Sequence, residues 1–285
     1  MWGNIKATIT TFFLSTTLLL TNAMQMASLV VLPFSPRLFR LINRNCAGNW
    51  WNLGRWWTEG FYGIRPEFRG DAIPPKENAI VVCNHQCMTD IVALWSLAWR
   101  KGRLGDMKFA VKEVLKYVPG IGWGMLFLDC LFLKRNWEND EKLIQATFAK
   151  FHKFQIPIWL ISFSEGTRLT QKKWLAARTF AEKRGLHAPQ NVLIPRTKGF
   201  TAAVTGLRNY ATAVYDITLA YPQGVPSVWQ VVQGRMDRFV IHVRRYPIES
   251  LPKEREELAQ WLLERFEEKD RLVPELISEF GPQNA

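Results

Sequence analysis

The first long apolar stretch of the chain lies at its beginning. Residues 7–32 carry no charged side chain, although Thr21, Asn22 and Gln25 interrupt the apolar residues on either side. A helix needs roughly 20 apolar residues to cross the hydrocarbon core of a bilayer. The pattern therefore predicts a membrane helix, which either spans the bilayer or is half-buried in one leaflet. A cleaved signal peptide fits less well, because the apolar part is long.

A second helical pattern follows the prolines at positions 33 and 36. Apolar side chains recur there at steps of three and four, which is typical of one face of a helix; they are Trp50, Leu53, Trp57 and Phe61. Two interpretations stay open. Either the stripe packs against a protein core, or the helix lies at the membrane surface with Trp51 and Trp56 reaching the lipid headgroups.

From about residue 78 onward, short apolar runs alternate with segments of helical periodicity, which predicts an α/β domain. The predicted strands are residues 79–83, 107–111, 127–133, 156–163, 192–195, 214–221 and 238–246. The predicted helices are residues 89–101, 138–153, 171–184, 200–208 and 253–270. The predicted organisation is a membrane anchor helix (1–36), a Trp-rich interfacial helical segment (37–77) and the α/β domain (78–285).

The charge balance narrows the choice of partners. With 37 basic and 25 acidic residues the formal net charge is +12, so the surface should attract nucleic acid, anionic lipid or phosphorylated substrates. The 13 tryptophans favour a membrane, because indole prefers the headgroup layer. Lys6 precedes the apolar stretch, and several arginines follow it, which predicts that the bulk of the chain faces the cytoplasm. These arginines are Arg37, Arg40, Arg44 and Arg55.

Cysteine and histidine spacing gives no reason to expect a metal site. The 4 cysteines include no CxxC pair, the 4 histidines are scattered singly, and no His-Cys spacing matches a zinc site. Free thiols in a reducing compartment are the simplest interpretation.

Candidate chemistry begins where the first predicted strand ends. Asn84, His85 and Asp90 follow that strand, and a histidine in the turn can meet an aspartate in the first turn of the next helix. The aspartate would bind the proton on one ring nitrogen, so the other nitrogen could take a proton from an alcohol. A cysteine nucleophile, with Cys87 activated by His85, is an alternative mechanism.

A phosphate-binding turn is predicted after the strand at 156–163. Gly166, Thr167 and Arg168 offer backbone N–H groups, a hydroxyl and a planar guanidinium fork, all suited to phosphate oxygens. Glu165 cannot bind phosphate directly and is expected to position Arg168 or a substrate hydroxyl. Further cations follow predicted strands, at the edge of the sheet where α/β sites gather; they are Lys112, Lys134, Arg135, Arg196 and Lys198.

Four blocks in this order resemble the glycerolipid acyltransferase family, which includes the 1-acylglycerol-3-phosphate acyltransferases. The blocks are NHx4D (residues 84–90), a lysine followed by a proline-glycine turn (112–122), FxEGTR (163–168) and an apolar run ending in proline (192–195). The similarity extends from about residue 78 to the C-terminus. Leu169 departs from the family, in which many members carry serine after the arginine.

The resemblance implies one α/β acyltransferase domain with a mixed sheet flanked by helices, after the N-terminal membrane helix. It also implies that His85 is the general base, that Asp90 orients it, and that Gly166, Thr167 and Arg168 bind phosphate. Other substrate contacts are expected from Asn84, Lys112, Arg135, Glu165, Arg196 and Lys198.

The expected reaction moves a fatty acyl group from acyl-CoA or acyl carrier protein to the sn-2 hydroxyl of lysophosphatidic acid. Alternative acceptors are a headgroup-bearing lysophospholipid or glycerol 3-phosphate. No cofactor besides the acyl donor, no metal and no nucleic acid is expected, and the membrane would be the bacterial inner membrane or the endoplasmic reticulum. A non-catalytic basic protein that binds lipid or nucleic acid is the competing class, but charge alone gives no reason for the four ordered blocks.

Overall fold

A mixed β-sheet organises the protein in a computed structural model that describes residues 2–134 and 136–281. The strands are β1 (Arg65–Gly70), β2 (Ala79–Cys83), β3 (Met107–Lys112), β4 (Leu131–Leu133), β5 (Trp159–Ser162), β6 (Ala213–Ala220) and β7 (Arg238–Pro247). They lie side by side in the order β1-β7-β6-β2-β5-β3-β4. β6 and β7 pair antiparallel, whereas the other neighbours pair parallel. The predicted α/β class with a mixed sheet is therefore confirmed.

Helices cover both faces of this sheet. They are α1 (Trp2–Ala27), α2 (Pro36–Trp56), α3 (Thr89–Arg100), α4 (Ile121–Phe127), α5 (Trp137–Phe154), α6 (Gln171–Arg184), α7 (Thr197–Leu207), α8 (Val228–Val232) and α9 (Arg255–Phe280). One core cluster holds α2 and α3 against one face through Trp51 and Leu94. The other holds α5, α7 and α9 against the opposite face through Phe148, Phe200 and Leu262. The central strands β2 and β6 are buried along their whole length, because both of their faces are covered.

Three predicted segments differ from the observed strands. Of residues 127–133, only Leu131–Leu133 pair with β3, because Phe127 ends α4 and Asp129, with a left-handed φ of 59°, lies between that helix and the strand. Residues 192–195 form no strand, since carboxylates rather than a neighbouring strand bind their backbone N–H groups. β5 begins only at Trp159, after Pro157, which has no N–H for the ladder.

One strand lies outside the predicted elements, and one helix extends beyond its predicted limits. β1 was not predicted, because its sequence RPEFRG is polar, as an edge strand can be. The sheet therefore takes in residues that the sequence assigned to the segment 37–77. Helix α9 continues past the predicted end at residue 270 to Phe280, through Pro274.

Helix α1 has the reverse polarity of a helix on a soluble protein. Its buried positions include Thr10, Asn22 and Gln25, whereas Phe12 and Leu20 are exposed. A soluble helix turns its apolar side inward. The apolar helical stretch Trp2–Val31 is long enough to cross a membrane by length and composition.

The Trp-rich helix α2 faces the core for part of its length. Trp51 is 9% exposed, stacks on Trp95 at a ring distance of 6.3 Å and meets the edge of Phe109. The prediction that Trp51 reaches lipid headgroups is therefore wrong, because the ring fills the space between α2 and the sheet. Trp56 is 51% exposed, and its contact with lipid stays a prediction.

Candidate active site

The turn between β2 and α3 brings His85 and Asp90 together. The strand ends at Cys83 and the helix begins at Thr89, so both side chains lie at the carboxyl edge of the parallel strands. His85 Nδ1 lies 2.8 Å from Asp90 Oδ2, and the same oxygen accepts hydrogen bonds from the backbone N–H groups of Gln86 at 2.7 Å and Cys87 at 2.9 Å. The predicted meeting of imidazole and carboxylate is confirmed.

Tyr221 completes the hydrogen bonding of Asp90 and was missed by the sequence analysis. Its hydroxyl donates to Asp90 Oδ1 at 2.6 Å, and the ring is 2% exposed. Burial raises the pKa of Tyr221 well above its ordinary value, so the hydroxyl keeps the proton that it donates. The signal that could have found it is its place just after β6, a strand parallel to β2 that ends at the same edge.

The imidazole of His85 is held on one side and open on another. Phe163 stacks on the ring with a centroid distance of 4.1 Å and an interplanar angle of 22°. The side chain keeps 13% of its surface exposed. Because Asp90 engages Nδ1, the nitrogen that can receive a proton from a substrate is Nε2.

Asn84 anchors this turn to β6. Its amide oxygen accepts from the Leu219 backbone N–H at 2.8 Å, and its Nδ2 donates to the Leu219 carbonyl at 3.0 Å. Gln86 Nε2 donates to that carbonyl as well, at 2.8 Å. The side chain of Asn84 is fully buried, which argues against the predicted contact with substrate. That contact stays a prediction.

Glu165 connects three of the four sequence blocks. Its Oε1 accepts from the backbone N–H of His85 at 3.3 Å, and the backbone of Leu193 also donates to the carboxyl group. The residue is 3% exposed, and burial raises the pKa of its carboxyl group well above the ordinary value. The carboxyl group therefore holds the backbone of the turn that carries His85, and its predicted positioning of Arg168 or of a substrate hydroxyl stays a prediction.

The FxEGTR block runs from β5 back to His85. Gly166 has a left-handed φ of 68°, and a Cβ there would lie 3.1 Å from Nε of Arg196, so the glycine lets that guanidinium approach. The backbone N–H of Leu169 donates to the His85 carbonyl at 2.8 Å. Arg168 is thus the neighbour of a residue bonded to the turn that carries His85. Since Leu169 makes this contact through its backbone, its departure from serine does not affect it.

The remaining predicted cations lie at or near the same edge. Lys112 ends β3 and is exposed, as are Arg168 and Lys198. Lys198 approaches the ring of Trp137 at 5.9 Å, and the Thr167 hydroxyl accepts from the ammonium of Lys173, which the sequence analysis did not single out. Arg135 lies outside the described residues. A shared pocket for these cations and His85 stays a prediction.

Cys87 is poorly suited to act as the nucleophile. Burial and the nearby charge of Asp90 raise the pKa of its thiol to about 11, so the reactive thiolate is scarce at neutral pH. Within residues 2–134 and 136–281, no group of three or more His, Cys, Asp or Glu side chains could hold a metal ion. The site therefore offers a histidine base rather than a thiolate.

Comparison with protein families matches nearly the whole domain. Residues 65–221 match the model of the Acyltransferase family, and residues 230–279 match that of the Acyltransferase C-terminus. A 1-acyl-sn-glycerol-3-phosphate acyltransferase 2 of Brassica napus is 36% identical over 274 residues, which is 94% of this chain and 70% of that protein. The delta form of Bos taurus is 36% identical over 262 residues, which is 90% of this chain and 69% of that protein.

A solved structure shares the fold. The crystal structure of a 1-acyl-sn-glycerophosphate acyltransferase of Thermotoga maritima superposes with a TM-score of 0.57, covering 99% of this chain and 98% of that one. The two sequences are 17% identical, so this likeness concerns the fold alone.

Proposed function

Because this chain belongs to the Acyltransferase family and is an acyltransferase, we propose that it acylates the sn-2 hydroxyl of lysophosphatidic acid, giving phosphatidic acid. The relatives' names, 1-acyl-sn-glycerol-3-phosphate acyltransferases, support this acceptor. The observation that carries the chemistry is the 2.8 Å contact between His85 Nδ1 and Asp90 Oδ2. The neighbouring turn carries Arg168, and Arg196 approaches that turn at Gly166. The proposed donor is acyl-CoA or acyl carrier protein.

The proposed reaction is a direct transfer. Nε2 of His85 takes the proton of the sn-2 hydroxyl while the hydroxyl oxygen attacks the carbonyl carbon of the thioester. The C–S bond of the resulting tetrahedral intermediate then breaks, and the departing thiolate receives the proton from His85. Asp90 holds the proton on Nδ1 throughout, which keeps Nε2 available, and the buried Tyr221 hydroxyl and backbone N–H groups hold Asp90.

Recognition of the acceptor phosphate is assigned to Arg168 of the FxEGTR block and to Arg196, which follows the apolar run at residues 192–195. The guanidinium of Arg168 is exposed next to the backbone bonded to His85, and that of Arg196 lies over Gly166. Guanidinium groups suit phosphate because they offer paired donors in a plane. The raised pKa of buried Glu165 favours its neutral form, so this acid does not repel the phosphate.

The proposed membrane contact is a helix half-buried in one leaflet. Asn4 accepts from Gln233 at 2.5 Å near the start of α1, Trp50 donates to the Leu14 carbonyl in its middle, and Ser28, just after its end, accepts from Asn43 at 2.8 Å. Helix α2 and the domain therefore lie alongside the whole of α1. A spanning orientation would bring the domain into the hydrocarbon, where charged groups are costly. The cytoplasmic face of the bacterial inner membrane or the endoplasmic reticulum is proposed from the arginines that follow α1.

The decisive experiment incubates purified protein with labelled acyl-CoA, or acyl carrier protein loaded with the same chain, and a panel of acceptors. The panel contains lysophosphatidic acid, lysophosphatidylcholine, lysophosphatidylethanolamine and glycerol 3-phosphate. We expect phosphatidic acid as the main product. Preferential acylation of a headgroup-bearing lysolipid or of glycerol 3-phosphate would overturn the proposed acceptor.

Two variants test the proposed roles in the same assay. His85→Ala should lower kcat by about 10²–10⁴-fold with the melting temperature retained, because it removes the base and not the hydrogen bonds of Asp90 to the backbone. His152→Ala, a histidine at the end of α5, is the matched control.

Arg168→Lys should raise the acceptor KM more than it lowers kcat. Near-full turnover in His85→Ala, or an unchanged acceptor KM in Arg168→Lys, would contradict these roles.

A further inference from the structure

A cationic cavity lies at the opposite edge of the sheet from His85. Its volume is about 220 Å³. Its walls come from the beginning of α2 and from the segments that lead into β3, β4 and β5. Because β2, β3 and β5 are parallel, this is their amino edge, whereas His85 follows the carboxyl end of β2.

Lys108 is the unusual residue of this cavity. It is the second residue of β3, 4% exposed, and it contributes to the cavity wall. Burial lowers the pKa of its ammonium group, and the charges of Asp106 and Asp129 only partly oppose this effect. Neither acid forms a direct ion pair with Lys108, since both are engaged elsewhere.

The neighbouring acids are already neutralised by other cations. Asp106 is bound by Arg44 at 2.5 and 3.0 Å and by Arg103 at 3.1 Å. Asp129 is bound by Arg40 at 3.4 Å and by Lys150.

The cavity wall is therefore rich in positive charge. Among the residues that line the cavity are four cations, Arg37, Arg40, Arg44 and Lys108, and two acids, Asp106 and Asp129. Lys108 is buried without either acid as a direct partner, so an anion bound in the cavity would stabilise its charged form.

The surroundings of the cavity favour a lipid as the source of this anion. Arg37 and Arg40 belong to the first turns of α2, directly after the outward-facing apolar helix α1. Large apolar side chains are exposed beside them: Phe34 is 86%, Leu38 46% and Leu41 47% exposed. Arginines next to exposed apolar side chains fit the boundary between headgroups and acyl chains.

We propose that this cavity binds the phosphate of an anionic membrane lipid, with Lys108 at its base and Arg37 and Arg40 at its mouth. The bound lipid fixes the start of α2 against the sheet. This site is separate from the acceptor phosphate site assigned to Arg168, and the proposal does not depend on the reaction assigned to His85.

The test is calorimetric titration of the purified full-length protein, held in an uncharged maltoside detergent. The probes are dihexanoyl phosphatidylglycerol below its micelle concentration, dihexanoyl phosphatidylcholine and inorganic phosphate. We expect phosphatidylglycerol to bind, with a Kd at least about tenfold weaker in Lys108→Met, because the charge at the base of the cavity is lost. Arg37→Gln should weaken binding by about threefold, since this arginine is exposed. Lys253→Gln, which removes the same charge before α9, is the matched control and should bind as the wild type.

Lys108→Met has a second readout that a merely structural lysine would not give. Without lipid, the variant should melt at or above the wild-type temperature, because an unpaired buried charge is replaced by an apolar chain of similar length. With phosphatidylglycerol, only the wild type should gain melting temperature. If Lys108→Met does not fold, the proposal is overturned for Lys108, and Arg37→Gln then decides whether the mouth of the cavity binds lipid.

Three results would overturn the proposal. They are equal binding of phosphatidylcholine, equal binding of inorganic phosphate, and loss of binding in Lys253→Gln as large as that in Lys108→Met. The Arg168→Lys protein should bind phosphatidylglycerol like the wild type. Failure of the lipid site and failure of the proposed acyl transfer can therefore be told apart.

Discussion

At the scale of single residues, Asp90 is the side chain on which the site converges. It is fully buried, and its two oxygens accept from His85, Tyr221 and the backbone N–H groups of Gln86 and Cys87. A buried carboxylate is stable only when its lone pairs are used in this way. The fixed carboxylate in turn fixes the direction in which the imidazole points.

Tyr221→Phe tests whether the hydroxyl orients Asp90. We expect kcat to fall by about threefold to tenfold with the acceptor KM unchanged, because the loss of one donor loosens Asp90 without touching the substrate. Steady-state kinetics measures this division between kcat and KM. Tyr210→Phe, which removes the hydroxyl that donates to the Ile156 carbonyl at 2.6 Å, is the control. Equal losses of kcat in both variants would assign Tyr221 a purely structural role.

Glu165→Gln tests the neutral carboxyl group. The folded pKa is raised above its ordinary value of 4.5, so the folded state holds a proton that the unfolded state loses. The stabilisation by this group is complete below pH 4.5 and is lost as the pH rises to the raised folded pKa. Because glutamine cannot lose a proton, we expect the free energy of unfolding of Glu165→Gln to fall less than that of the wild type between pH 5 and 8.

Glu77→Gln is the control for this pH dependence. Burial acts to raise the pKa of Glu77, but hydrogen bonds from Arg245, Tyr215 and Thr212 outweigh it and lower that pKa. Its stabilisation is therefore present above the unfolded pKa and lost as the pH falls, so this variant should lose stability mainly at neutral pH. Denaturant titrations at several pH values measure both effects. Identical pH profiles for Glu165→Gln and the wild type would show that the acid is ionised in the folded protein.

At the scale of elements, α9 holds two parts of the site through neighbouring residues. Lys269 is 1% exposed, donates to the Ile217 carbonyl at 2.7 Å and pairs with Asp216 on β6. Asp270 accepts hydrogen bonds from the backbone N–H groups of residues 190–192, where the apolar run at residues 192–195 begins. The sequence predicted a helix here, and this helix also positions two elements of the site.

The buried ion pair between α9 and β6 gives a prediction at this scale. Asp216→Asn and Lys269→Met should each lower the free energy of unfolding by about 3–5 kcal/mol, because each leaves an uncompensated buried charge. The double variant should cost less than the sum of the two. Denaturant unfolding of all four proteins measures the coupling, and strict additivity would contradict it. The exposed pair Arg69–Glu279, with both side chains more than 40% exposed, is the control, and Glu279→Gln should cost less than about 1 kcal/mol.

At the scale of the whole molecule, α1 determines how the enzyme meets its surroundings. Its polar residues Thr10, Asn22 and Gln25 are buried against the protein, whereas Phe12 and Leu20 face outward. The result is an acyltransferase domain with one apolar side. In the proposed reaction, this side is the one along which a lipid substrate would reach the enzyme from the membrane.

The double substitution Phe12→Ser and Leu20→Ser should weaken binding to vesicles by about tenfold or more. Both side chains are exposed, by 74% and 62%, so their apolar area is available to lipid and is not used in folding. Cosedimentation with phosphatidylcholine vesicles measures the binding, and melting in detergent should be unchanged. Leu143→Ser with Ile277→Ser, on α5 and α9, removes exposed apolar side chains elsewhere. Equal losses of binding in the two double variants would contradict a membrane role specific to α1.

Local spacing carried much of the fold and part of the site. The apolar runs predicted β2, β3, β6 and β7 to within about two residues, and helical periodicity gave α6 its observed limits. The pair His85–Asp90 was predictable because five positions and one turn separate the two residues. The limits of these elements and the meeting of His85 and Asp90 depend on residues close together in the chain, so they can be predicted from the sequence.

Contacts between distant parts of the chain were set only by the arrangement of the folded elements. Tyr221 meets Asp90 from 131 positions away, because β6 lies beside β2 in the sheet. Likewise, three features depend on which elements pack together. They are the approach of Arg196 to Gly166, the burial of Lys108 without an ion pair to a described acid, and the burial of Thr10, Asn22 and Gln25 on α1. A periodic pattern predicts which face of a helix or strand is buried, but it does not predict which element packs against that face. These long-range contacts therefore depend on the strand order and the helix packing of the folded protein.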